Sequence, residues 1–224
     1  MLGNFGHNTK YHASPNEPVS LYLGDFNRTG RFHIVEAEYE KGVLYPVRGR
    51  SCSSTVMPFL KSKFPTFDSF AKAPLFDIYD QAKNGQCQQL DVTHLETMIA
   101  INNGARGFEM IEGHHMAQLA PSFGANDIDI NGDGFPEIIL AQNFYGPQPE
   151  TGRMDGSIGT VLSISKNANT IKQEPRDLLE TGLVITGDAK GLATGDFNRD
   201  GNPDLLVSRN GQTPLLFEMN EHNP

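Results

Sequence analysis

Tryptophan is absent from this chain and cysteine occurs only twice. No apolar run approaches the ~18 residues that a membrane-spanning helix needs, so membrane insertion is not expected. Basic residues are scarce. Eighteen Lys and Arg stand against 27 Asp and Glu, a net charge of −9, which argues against nucleic acid or an anionic membrane surface as partner. Residues Met1 to His7 carry neither a basic n-region nor an apolar h-region and do not read as a signal peptide. The G-x-S-x-G, H-E-x-x-H and phosphate-loop patterns are also missing. The two cysteines, Cys52 and Cys87, bracket a helical segment described below. Either they are separate thiols or they form a disulfide closing a loop of about 36 residues, which the chain-entropy model values at roughly 3–4 kcal/mol.

What the chain does have is glycine, proline and a repeated acidic loop. Gly (23) and Pro (14) in 224 residues suit many short strands and turns. The stretch Asp129-Ile-Asn131-Gly-Asp133-Gly134-Phe135-Pro-Glu137 places oxygen side chains at positions 1, 3, 5 and 9, with Gly at position 6. Hard cations such as calcium take six to eight oxygen ligands, and the glycine lets the backbone turn where a Cβ would be costly. The pattern returns as Asp196, Asn198, Asp200, Gly201 and Asp204. The position-7 carbonyls, of Phe135 and Asn202, complete the two expected calcium sites. Two bound divalent ions would bring the net charge from −9 to about −5. A decayed copy, Asp25, Asn27, Thr29, Gly30 and His33, keeps the turn but replaces two carboxylates by a hydroxyl and an imidazole. It is expected to have lost most or all of its metal affinity.

These are not helix-loop-helix sites. Position 12, the bidentate Glu of that class, is here Leu140 or Val207. The loops run into Ile-Ile-Leu and Leu-Leu-Val, which favour strands. Strands are expected at 19–24, 32–39, 43–55, 90–101, 106–112, 137–143, 158–164, 182–186, 204–208 and 214–218. In residues 56–84 the apolar residues recur at spacings of three and four, cut by Pro65 and Pro74, which predicts two or three short helices inserted in the β pattern. The chain therefore reads as one segment, 1–224, all-β with a small helical insertion at 56–84. Asp129 and Asp196 are 67 residues apart and Asp25 and Asp129 are 104 apart; the insertion accounts for the excess over a repeat of ~65 residues. His114 and His115, read as strand neighbours, should point to opposite faces. The loop from Phe144 to Arg153, with Phe144, Tyr145, Arg153 and Asp155, offers either a binding face or a solvated connector.

The segments at 129–137 and 195–204 resemble FG-GAP/VCBS-type repeats, the calcium-loop blades of integrin α-subunit propellers. A wider likeness runs through Tyr22–Phe26, Met57–Lys61, Lys63–Pro65 and Asn143–Gly146. It is similar to the C-terminal part of secreted bacterial proteins of the cartilage-acidic-protein-like (ASPIC/UnbV-related) group. The resemblance implies a partial β-propeller of about three blades, held by calcium and exported as part of a longer extracellular, cell-surface or periplasmic protein. The expected function is non-catalytic, supporting protein or glycan binding and adhesion. The alternative is a carbohydrate-active enzyme or accessory module using the propeller face. An arc of three blades should complete itself with further blades of a longer chain or by self-association.

Overall fold

The computed structural model describes residues 1–83, 85–149, 151–167 and 170–219. The described chain is mostly β, with four antiparallel sheets and a few short helices. None of those helices is long and apolar enough to cross a membrane. By contacts the chain gathers into two compact units, Met1–Lys10 with Glu96–Pro224, and Tyr11–Leu95.

In the smaller unit β1 (Val19–Gly24), β2 (His33–Glu40), β3 (Val43–Pro46) and β4 (Gln88–Val92) lie in the order β3-β2-β1-β4. Strand β1 alternates: Ser20, Tyr22 and Gly24 are buried, whereas Val19, Leu21 and Leu23 are half-exposed. Between β3 and β4 run α1 (Arg50–Val56), α2 (Phe59–Lys63), α3 (Phe67–Ala71), α4 (Leu75–Ile78) and α5 (Asp80–Lys83). Leu60, Phe70, Leu75, Ile78 and Tyr79 from this segment pack with Tyr22, Phe26, Val35 and Ala37 of the sheet and its first loop. Pro58 and Pro74 occupy the N-caps of α2 and α4, and Thr66 forms a capping box with Ser69 at α3. A missing N–H costs nothing at such positions.

The helical segment thus begins at Arg50, inside the stretch expected to be a strand, and comprises five pieces rather than two or three. The Ser53, Ser54 and Thr55 hydroxyls donate back to the carbonyls of Arg48, Ser51 and Ser51. Such bonds satisfy the hydroxyls locally and let this Ser/Thr-rich stretch coil. Of the two readings of the cysteines the structure has separate thiols: Cys52 is exposed on α1, and Cys87 is a half-buried thiol whose Sγ lies against Gly24.

In the larger unit β5 (Met98–Asn102) and β6 (Phe108–Glu112) form a hairpin. The single strand expected over 90–101 is therefore two strands, β4 and β5, one in each unit. Then β7 (Ser122–Ile128), β8 (Glu137–Gln142), β9 (Thr160–Asn167) and β10 (Thr170–Pro175) make an up-and-down sheet in chain order. A three-stranded sheet follows, β11 (Ala189–Gly195), β12 (Asp204–Arg209) and β13 (Leu215–Phe217). Residues 182–186 form no strand. Leu183 and Ile185 are instead anchors of irregular chain, each 1% exposed, in a core shared by both sheets.

The first two strands of these last two sheets repeat one another. A bulge interrupts β7·β8 between Ser122 and Gly124, and another interrupts β11·β12 between Ala189 and Gly191, 67 residues on. The two bulged strands meet there. A Cβ on Gly124 would stand 3.2 Å from the Gly191 Cα and 3.2 Å from the Lys190 carbonyl oxygen, both backbone atoms that cannot swing aside. Gly124→Val should destabilise by about 1–3 kcal/mol, as overpacking does, read as a lower urea midpoint with an unchanged slope.

Candidate metal centres

Each acidic loop leaves one strand of a sheet and enters its neighbour: 25–33 joins β1 to β2, 129–137 joins β7 to β8, and 196–204 joins β11 to β12. All three share one backbone. Position 6 is left-handed at Gly30 (φ 79°), Gly134 (85°) and Gly201 (92°). Position 4 is left-handed too, at Arg28 (φ 55°), Gly132 (73°) and Arg199 (66°). The arginines are costly there, which shows how strongly the loop imposes its turn.

The position-1 aspartate ties the turn from inside. Asp129 accepts from the N–H groups of Gly132 (2.8 Å), Asp133 (3.2 Å) and Gly134 (2.8 Å). Asp196 accepts from Asp200 and Gly201, and Asp25 from Thr29 and Gly30. Slight desolvation pushes the Asp25 carboxyl up, but the surrounding backbone N–H groups outweigh it and hold the carboxyl below its ordinary range. The Asn202 backbone N–H, aided by the Asn198 side chain, does the same to Asp200. Both groups therefore add stability that is present above the ordinary carboxylate range and lost as pH falls through their lowered folded values. In chelator, carbon-detected NMR should place both titration midpoints below the ordinary value of 3.8. Midpoints at or above it would contradict the bonding described.

Position 9 differs in kind. Glu137 is 2% exposed and Asp204 is 0% exposed. Each accepts the N–H of position 2, from Ile130 at 3.2 Å and from Phe197 at 2.9 Å. Glu137 also accepts from Ser163 Oγ at 3.0 Å, and Asp204 from the Met219 N–H at 3.3 Å. Among the described residues neither carboxylate pairs with a Lys, Arg or His. An ionised carboxylate held out of water without a counter-charge costs several kcal/mol. The buried Asp188, by contrast, has Lys190 at 2.6 Å.

The donor set suits calcium: three carboxylates, one amide oxygen and a main-chain carbonyl per loop, all hard oxygens. As placed, no three His, Cys, Asp or Glu side chains among the described residues converge to enclose an ion. Asn131 Nδ2 donates to Asp133 at 3.0 Å and to Glu137 at 3.3 Å, and Asn198 Nδ2 donates to Asp200 at 2.9 Å. The two Oδ1 atoms accept from the Asp133 and Asp200 N–H groups, each at 2.9 Å, and would have to give up those bonds to face an ion. In the decayed loop Thr29 Oγ1 donates to Asn27 at 2.7 Å, and the Asn27 amide lies 3.4 Å from His33 Nε2. The carboxylates of positions 5 and 9 are lost together there, as they should be if the buried one serves the ion.

The matching span begins on the first acid of one complete loop and ends in the strand that follows the other. Residues 129–207 are an FG-GAP-like repeat. The match covers both complete acidic loops of the larger unit and leaves out the decayed loop at 25–33. A search of curated proteins finds no match to the chain.

The remaining candidates fall outside the FG-GAP-like loops. His114 and His115 are not on a strand: His114 caps the 3-10 turn His115–Gln118, and their rings lie 4.2 Å apart on one side. Burial and then the neighbouring His115 hold the His114 imidazole below its ordinary range. The loop after β8 is partly packed. Phe144 bridges to Met154 and contacts Phe5 and Phe123, and the Arg153 guanidinium lies 4.5 Å over the Tyr145 ring. Asp155 is exposed. Sequence reasoning missed Ser163, the position-2 N–H groups and the position-4 turns. Only the last had a signal, a glycine at 132 aligned with two arginines.

Proposed function

We propose that this chain is a calcium-stabilised, non-catalytic FG-GAP-type repeat segment. Asp129, Asn131, Asp133, Glu137 and the Phe135 carbonyl hold one ion; Asp196, Asn198, Asp200, Asp204 and the Asn202 carbonyl hold the other. The observation that carries this reading is the pair of buried position-9 carboxylates without counter-cations among the described residues. Calcium supplies the missing positive charge and pins each loop between its strands. The loop-bearing sheets are read as blades of a partial propeller, completed by further blades or by self-association. The up-and-down order of β7 to β10 and the repeated bulge support that reading.

The biological role is support of protein or glycan binding and adhesion outside the cell or in the periplasm. Open loops of this kind bind calcium weakly, roughly at 10⁻⁴–10⁻³ M, which suits calcium-rich surroundings. The wider likeness through Tyr22–Phe26 and Asn143–Gly146 to cartilage-acidic-protein-like secreted chains points the same way.

Calorimetric titration should give a stoichiometry near two, falling toward zero in a Glu137→Ala/Asp204→Ala double variant. No uptake, or unchanged uptake by the variant, would remove the metal reading. A glycan array beside a glycoside-hydrolase screen, each with calcium and with chelator, tests the role. Hydrolysis that survives chelation would make the protein an enzyme.

A further inference from the structure

Four Asn-Gly steps occur in the sequence, at Asn84, Asn103, Asn131 and Asn210, and Asn84 lies outside the described residues. An asparagine followed by glycine can lose its side-chain amide without any enzyme, because no side chain shields the following nitrogen. At two of the three described steps a side chain holds that nitrogen, and the two differ in its charge. Gly132 N lies 2.8 Å from a carboxylate oxygen, Asp129 Oδ1. Gly104 N–H is held instead by the neutral amide oxygen of Asn102, also at 2.8 Å. At Asn210 the side chain donates to Asp188 from a strand-to-strand turn. The second calcium loop has Arg199 in place of Gly132.

We infer that Asn131 is a self-catalysed deamidation site, with Asp129 as its base, that bound calcium protects. The chemistry balances as follows. Gly132 N attacks Asn131 Cγ; the N–Cγ bond forms and the Cγ–Nδ2 bond breaks. The Gly132 amide proton passes to Asp129 and leaves with the departing ammonia. Water then opens the cyclic imide, at one carbonyl to give aspartate and at the other to give isoaspartate.

The protection rests on the calcium reading above. Without an ion the Asn131 side chain is held by hydrogen bonds alone, Oδ1 accepting the Asp133 N–H at 2.9 Å and Nδ2 donating to Asp133 and Glu137, and these open for Cγ to reach Gly132. With an ion in the loop, Asn131 Oδ1 and the Asp129 carboxylate would both be ligands and neither would be free to take part. Only the ion-free fraction reacts. The two products have opposite effects. Aspartate at 131 keeps the ligand spacing and adds a negative oxygen. Isoaspartate inserts an extra backbone carbon between positions 3 and 4 and breaks the spacing. Long exposure to low calcium would then disable this loop and spare the one at 196–204.

The test is to age the whole chain at mildly alkaline pH in chelator and in calcium at ten times the dissociation constant measured by calorimetry. Peptide mapping follows each asparagine. In chelator Asn131 should convert faster than Asn103 and Asn210, and Asp129→Asn should slow it at least about tenfold, as loss of a general base does. Calcium should slow Asn131 about tenfold, the ratio of total to ion-free protein, and leave Asn103 unchanged. Aged isoaspartate-rich protein should take up one ion instead of two. The inference fails if Asn131 is no faster than Asn103 in chelator, or if Asp129→Asn converts equally fast. It also fails if Asn131 converts equally fast with calorimetry showing the loop loaded. Absence of any calcium uptake overturns it by a separate route, through the metal reading itself.

Discussion

Glu137→Gln should raise stability in chelator and lower it in calcium. The glutamate is 2% exposed, with no counter-cation among the described residues. Neutralising it removes the desolvation cost of a buried charge, a gain on the order of 1–2 kcal/mol. Most of its hydrogen bonds can be kept. The Ile130 N–H still meets the amide oxygen and Ser163 can turn its hydroxyl to accept, while only the long Asn131 contact, at 3.3 Å, is given up, because the Asn131 amide is fixed by Asp133 on both sides. In calcium at a thousand times the dissociation constant the wild type gains about 4 kcal/mol from that site, and the variant loses it. Urea unfolding in the two buffers reads the crossing directly. Asp204→Asn is the informative contrast. Asp204 accepts two backbone N–H groups, from Phe197 and Met219, so the new amide must face one of them. That variant should be weaker in both buffers. If Glu137→Gln were destabilising in chelator by as much as in calcium, the carboxylate would be a structural hydrogen-bond acceptor and not an ion's partner.

Removing the other kind of buried acid's partner should be costly in any buffer. Lys190 pairs with Asp188 at 2.6 Å, donates to the Asn143 carbonyl at 2.9 Å and lies 3.2 Å from the Phe123 ring centre. Lys190→Met keeps much of the contact with Phe123 and Phe144 but leaves Asp188 buried with, among the described residues, the Asn210 amide at 3.2 Å as its side-chain partner. Breaking such a pair costs about 3–5 kcal/mol; the lysine side chain is 22% exposed, so the lower end applies. Asp188→Asn/Lys190→Met should recover most of the loss, because no charge is then stranded. A single variant that unfolds at the wild-type urea concentration would show that water reaches Asp188.

The loops were legible because their chemistry is local. Oxygens at alternate positions, a glycine at position 6 and an aliphatic run immediately after depend on nothing distant, and the structure turns each loop there. The strands β1, β8 and β12 were legible for the same reason. What depends on partners far along the chain was not. Residues 182–186 look like a strand because Leu183 and Ile185 alternate, yet the alternation serves to plug a core built by β8, β9 and β12. Strand β10 has the polar sequence Thr-Ile-Lys-Gln-Glu-Pro and exists because β9 offers it an edge. The helices begin six residues before their apolar spacing does, since α1 is held by hydroxyl-to-carbonyl bonds that periodicity cannot register. Burial of the position-9 acids was equally hidden, because the pattern gives a carboxylate's place in the loop and not its depth.

One substitution of parts sets a rule for how such sheets can be joined. In the larger unit the face carrying Ile130, Ile139 and Ala141 is covered by Ala189, Leu205 and Val207 of the sheet that follows. In the smaller unit the matching residues, Phe26, Val35 and Ala37, are covered by Leu60, Leu75, Ile78 and Tyr79 of the helical segment. Five short helices and a whole sheet therefore both serve as lids for one surface. A sheet so covered has this surface filled from within its own unit, by residues that share no strand pattern with the sheet that does the same work elsewhere. Grafted after β8 and β9 in place of β11 to β13, the same thirty-odd residues are expected to seat Leu60, Leu75, Ile78 and Tyr79 over Ile130, Ile139 and Ala141, so that what the surface requires is apolar volume and not a particular secondary structure.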